Sequence, residues 1–81
     1  MNGEPANLLT VLEPGTFERI VLTAFELSPE HREVFFLCDM QDFTIAETGT
    51  ILGISDLEVA TRLTRARQEM GKRMRGRAGS C

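Results

Sequence analysis

The stretch Ile51-Leu52-Gly53-Ile54-Ser55-Asp56-Leu57-Glu58-Val59 decides how the chain is read. Gly53 follows the last apolar residue of a helical pattern and suits the left-handed conformation that ends a helix. Ser55 then opens another helix, and Glu58, three positions on, completes a Ser-x-x-Glu capping box. Helices joined by only Gly53-Ile54-Ser55 cannot lie antiparallel; they cross steeply, in the shape of a helix-turn-helix. A steep crossing needs a small residue at the contact. Gly49 supplies one, although glycine inside a helix costs about 1 kcal/mol against alanine. Ile54 is placed to plug the space between the helices, and Val59 to pack back onto the first of them. A purely structural helical hairpin would use the same turn, so the spacing alone assigns no role.

Upstream, Thr44 reads as the cap of the helix that ends at Leu52, with Glu47 completing its own capping box. Gln41-Asp42-Phe43 is a short connection. Before it, Ser28-Pro29-Glu30 reads as a helix start, with Ser28 as cap, Pro29 at the first helical position and Glu30 at the positive dipole end. That helix is expected to continue to Met40 and to bury Val34, Leu37 and Cys38, with Phe35 or Phe36 beside them. A first helix is expected over residues 16–27, where Phe17, Ile20, Val21, Ala24 and Leu27 recur at helical spacing. Gly3, Pro5, Pro14 and Gly15 punctuate residues 1–16, which read as a linker or arm; Leu8, Leu9, Val11 and Leu12 suit one short apolar turn within it.

Downstream, the fourth helix is expected to reach Met74, with Gly76 and Gly79 loosening a tail over residues 76–81. At about 100° per residue, Val59, Leu63, Ala66 and Met70 fall on one side and belong to the core. Leu57, Thr61, Thr64, Arg65 and Gln68 fall opposite, with Glu58 beside them and Arg62 and Arg67 on the flanks. The expected fold is therefore all-α, a small four-helix domain over residues 17–75 that contains a helix-turn-helix. Phe17, Val34, Ile51, Ile54, Val59 and Leu63 are expected to be buried together.

The charge pattern narrows the function. Of 81 residues, 9 are Lys or Arg and 12 are Asp or Glu, for a net charge of −3. Residues 1–61 hold Arg19 and Arg32 against eleven acids, whereas residues 62–81 hold seven basic residues against Glu69. A basic end on an acidic body suits contact with a polyanion, and equally a solvated helix end where cations oppose the dipole. No apolar run approaches the roughly 18 residues that span a bilayer, and no basic stretch followed by an apolar run marks a leader, so a cytoplasmic protein without membrane contact is expected. Cys38 lies in an apolar run and Cys81 ends the chain; with His31 they give no metal-ligand spacing. There is no glycine-rich phosphate loop and no nucleophile elbow, so neither an enzyme, a cofactor nor a small-molecule substrate is expected.

Several motifs resemble region four of the extracytoplasmic-function sigma factors. They are Leu27-Ser28-Pro29-Glu30-His31-Arg32-Glu33-Val34-Phe35, Phe43-Thr44-Ile45-Ala46-Glu47, Ile51-Leu52-Gly53-Ile54-Ser55, and Arg62-Leu63 followed by Arg65-Ala66-Arg67. The resemblance covers residues 17–75. It implies a domain that docks on the RNA polymerase flap and reads the minus-thirty-five element of double-stranded promoter DNA. The first two helices and the basic end of the fourth would then face polymerase, with one of Phe35 and Phe36 exposed in an apolar patch. Glu58, Thr61, Thr64, Arg65 and Gln68 become candidates for base contacts, and Ser55, Arg62 and Arg67 for phosphate contacts.

The chain also departs from the family pattern. Glu58-Val59-Ala60-Thr61-Arg62 stands where Thr-Val-Lys-Ser-Arg is usual; the acid and the missing cation should weaken backbone affinity, although Glu58 can accept from a cytosine amino group. Thr48 and Gly49 replace an apolar residue and alanine, which should loosen the third helix. The N-terminal sigma domain that melts promoter DNA has no counterpart in these residues, so the chain by itself is not expected to initiate transcription. The alternative is a sigma-like protein-interaction module that binds an anti-sigma factor or polymerase without reading DNA.

Overall fold

Four helices make up residues 15–78, the part of the chain that the computed structural model describes, with side chains to residue 76. They are α1 (Thr16–Ala24), α2 (Pro29–Val34, continued by a π-helical segment Phe35–Met40), α3 (Ile45–Leu52) and α4 (Asp56–Ala78). Among the described residues there is no strand, so the domain is all-α as expected. No helix among them is long and apolar enough to cross a membrane. The apolar turn expected at Leu8, Leu9, Val11 and Leu12, and the terminal Cys81, lie outside the described residues.

The core forms where α1, α2 and α3 each lay one face on α4. Val59, Leu63, Ala66 and Met70 of α4 are buried, and they meet Ala24, Leu27, Val34 and Phe35. Ile20, Leu52 and Ile54 pack against this cluster. Two residues expected in it are not there: Phe17 is 48% exposed and Ile51 52% exposed. Phe17 lies in the first turn of α1, whose stripe reaches full burial only at Thr23 and Ala24. On α3 the face turned inward is carried by Thr48, Gly49 and the half-buried Leu52, which leaves Ile51 outside. Leu37 is likewise half-buried rather than buried.

Helix ends differ from expectation where packing intervenes. α1 stops at Ala24, and the turn tightens through Glu26 N–H to the Thr23 carbonyl and Leu27 N–H to the Ala24 carbonyl, at 2.9 and 3.1 Å. Leu27 remains buried at the close of that turn. Ser28 has the extended backbone of a cap, but its hydroxyl makes no capping bond; its carbonyl accepts from the N–H groups of His31 and Arg32. Pro29 takes the first helical position as read. Past Val34 the ladder widens, with Gln41 N–H reaching the Phe36 carbonyl at 3.0 Å, and the chain leaves through Asp42 at φ 63°. Asp tolerates that left-handed position better than most residues.

α4 does not end near Met74; it runs through Gly76 to Ala78. Each interior glycine costs about 1 kcal/mol, which does not stop a helix that is held firmly ahead of it. Arg73 anchors this one, donating to Glu69 on α4 and to Glu26 beyond α1. Thr48, where an apolar residue is usual, is buried with its hydroxyl 3.3 Å from the Cys38 Sγ, which gives it a polar partner inside the core.

Candidate nucleic-acid interface

The turn between α3 and α4 closes on one carbonyl. Gly53 adopts φ 73° and ψ 33°, a left-handed position that glycine takes without penalty. This turns both its N–H and that of Ile54 onto the Gly49 carbonyl, at 2.8 and 3.0 Å. A Cβ at position 49 would stand 2.7 Å from the Ile54 carbonyl oxygen and 3.6 Å from Val59 Cγ2. Gly49 therefore lets the turn sit against α3 where a larger residue would force it away. The Thr44 capping box is complete: the Thr44 hydroxyl accepts from Glu47 N–H at 3.0 Å, and the Glu47 carboxylate accepts from Thr44 N–H at 2.8 Å.

The start of α4 is capped by half of the expected box. Ser55 Oγ accepts from Glu58 N–H at 3.0 Å. The Glu58 carboxylate turns the other way and accepts from Arg62 Nε at 2.8 Å. A bond between groups one turn apart on the same helix competes with the reach back to the cap.

The outer face of α4 is the one expected. Thr61, Thr64, Arg65 and Gln68 are exposed, as is Glu58, while Val59, Leu63 and Ala66 turn inward. The flanking arginines are already engaged. The Glu58 hydrogen bond holds the half-buried Arg62 guanidinium above its ordinary pKa, and the charges of Glu58, Glu30 and Glu33 add to that effect. Arg67 donates through Nε and Nη2 to both carboxylate oxygens of Asp39, at 2.8 and 2.6 Å. That bond in turn raises the Arg67 pKa. Both arginines expected to grip phosphates thus carry a carboxylate of the protein itself.

Lys72 and Arg75, part of the basic end expected to face polymerase and not among the expected DNA contacts, extend the same exposed stripe. Their spacing of seven and ten residues from Arg65 is the signal that marks them, because it returns to one side of a helix. Among the described residues, Arg65, Lys72 and Arg75 enter no ion pair, unlike Arg62, Arg67 and Arg73. Together with His31 and Gln68 they line an open cleft of about 650 Å³. His31, expected to be simply exposed, is half-buried at its edge. Among the described residues, the unpaired cations of α4 therefore lie along one side of the helix.

A second exposed surface is apolar. Phe17, Leu22 and Phe25 are 48%, 60% and 58% exposed. Neither Phe35 nor Phe36 is the exposed aromatic anticipated: Phe35 is buried and Phe36 half-buried. The wider π-helical segment carries Phe35 into the core, and Phe36 packs edge-on against Phe25 with ring centroids 5.8 Å apart. Arg32 covers Phe25, its guanidinium 5.6 Å from the ring centre and one N–H donated to the Phe25 carbonyl.

Over residues 18–70 the chain matches the family described as Sigma-70, region 4. No curated protein and no solved structure matches it.

Proposed function

The chain belongs to the sigma-70 region 4 family, the DNA-binding helix-turn-helix part of sigma factors that serve transcription initiation, and from that premise we propose that it reads the minus-thirty-five promoter element while docked on the RNA polymerase flap. The observation that carries this reading is the exposed face of α4, where Thr61, Thr64, Arg65 and Gln68 stand beside unpaired cations. A helix set across a tight turn presents such a face to the major groove, where arginine can bond guanine through two parallel donors. Thr61, Thr64, Arg65, Gln68 and Glu58 are the proposed base contacts. Ser55, Arg62 and Arg67 are proposed phosphate contacts, and Lys72 and Arg75 join them. Arg67 uses only Nε and Nη2 on Asp39, so further donors remain for an anion. The working unit is residues 17–75, acting in the cytoplasm where promoter DNA is found. The exposed apolar residues of α1 support the polymerase contact, because such a surface suits protein rather than phosphate.

The same apolar surface, with the acids grouped around Arg62, favours a second reading: a module that binds an anti-sigma factor or polymerase without reading DNA. Duplex binding by the 81-residue chain at a series of salt concentrations separates the two. Groove reading requires affinity to fall linearly on a log–log plot. Arg65→Ala should then cost about 1–3 kcal/mol on the preferred duplex and relax one base pair, and Lys72→Ala should weaken all duplexes alike and lower the salt slope by roughly one. A folded chain that shows neither a preferred duplex nor a salt slope is the protein-interaction module.

A further inference from the structure

Leu57 is 76% exposed, the most exposed of the large hydrophobic residues described, and it stands in the first turn of α4. Ser55, Asp56, Glu58 and Thr61 around it in sequence are polar and exposed, and the small Ala60 one turn on leaves most of the leucine open. Leu57, Thr61, Thr64 and Gln68 recur at steps of four, three and four residues, which sets them on one side of the helix. That side is the groove-reading face proposed above, and residues at the N-terminal end of a recognition helix are the ones that reach base edges. A leucine there can neither donate nor accept a hydrogen bond. The base edges of the major groove display one apolar group, the 5-methyl of thymine.

We infer that Leu57 reads a thymine, by packing its isobutyl group against the 5-methyl of that base. The contact makes thymine preferred at one position of the site by excluding water from both apolar surfaces. It rests on the reading of α4 as a DNA-recognition helix and adds to it a residue and a base. Leucine at this position explains how a recognition helix with an acid beside it holds sequence preference: the methyl contact needs no charge.

The test uses a duplex selected by the wild-type chain from a randomised pool, with each thymine replaced singly by deoxyuridine. The replacement removes the methyl and leaves every hydrogen-bonding group in place. Losing one buried methyl group lowers affinity about fourfold. The wild-type chain should show that loss at one thymine. Leu57→Ala should bind the unmodified duplex about as weakly as the wild type binds the deoxyuridine duplex, and should not tell the two apart. Circular dichroism of Leu57→Ala confirms that this exposed position leaves the fold intact. Uniform indifference of the wild type to deoxyuridine overturns the inference, as does an unchanged thymine-to-deoxyuridine ratio in Leu57→Ala. If selection recovers no preferred duplex at all, groove reading fails and the thymine contact fails with it. If a preferred duplex exists but the methyl is silent, groove reading stands and only the Leu57 contact falls.

Discussion

Arg67 on α4 and Asp39 at the end of α2 form a two-bond ion pair across 28 positions of sequence, with Nε–Oδ2 and Nη2–Oδ1 distances of 2.8 and 2.6 Å. The Arg67 side chain is 58% exposed, so the pair should add under about 1 kcal/mol to stability. Its larger effect should be on DNA. Asp39→Ala is expected to leave chemical unfolding nearly unchanged, to raise affinity for every duplex and to steepen the salt slope by roughly one. An unchanged affinity and slope in a folded variant would show that Asp39 does not hold Arg67 back from DNA.

Gly49 and Gly76 should respond in opposite directions to alanine. At position 49 the added Cβ meets the Ile54 carbonyl at 2.7 Å, so the turn must move. The strain of overpacking, about 1–3 kcal/mol, exceeds the roughly 1 kcal/mol gained in helix propensity. At position 76, inside α4, a Cβ meets nothing within 4 Å, and only the gain remains. Urea denaturation should show Gly49→Ala less stable than wild type and Gly76→Ala more stable by about 0.5–1 kcal/mol. A stabilised Gly49→Ala would mean that the turn tolerates a looser crossing.

Glu58→Gln isolates charge from capping. The capping bond runs from the Glu58 backbone N–H to Ser55 and survives the change, while the Arg62 pair weakens. Exposed pairs one turn apart are worth about 0.3–0.5 kcal/mol, so the melting temperature should barely move. As a base contact, the Glu58 carboxylate accepts from a cytosine amino group, so affinity should fall on the preferred duplex alone. A rise for all duplexes together would show that Glu58 only repels phosphates and is no base contact.

Thr48 and Cys38 form a polar contact inside the core, Oγ1 to Sγ at 3.3 Å, with Thr48 fully buried. Removing the thiol strands a buried hydroxyl, whereas removing the hydroxyl leaves only a weakly polar thiol. Cys38→Ala is expected to cost about 1–3 kcal/mol in thermal or chemical unfolding, since it leaves a buried hydroxyl unpaired. Thr48→Val replaces the hydroxyl by a methyl of similar size and should be close to neutral. Combining the two should then cost less than Cys38→Ala alone; a fully additive result would show that the contact carries no coupling.

Helix ends set by local chemistry were legible in the sequence. The Thr44 box, the left-handed Gly53 and the Ser55 cap each join groups within a few residues, so a short window contains both partners. The inward stripe of α4 was legible for the same reason: Val59, Leu63, Ala66 and Met70 obey the helical period without help from elsewhere. These sufficed for the all-α class, the helix-turn-helix and the exposed face that carries Thr61, Arg65 and Gln68. Which cations on that face are free was decided only in three dimensions. Arg67 meets Asp39 and Arg73 meets Glu26 across 28 and 47 positions, and no local pattern pairs residues so far apart. The burial of Phe35, the exposure of Phe17 and Ile51, and the half-buried place of His31 were settled in the same way. A helix's own period fixes which side chains share a face, but only the angle at which neighbouring helices cross it determines how much of that face is covered.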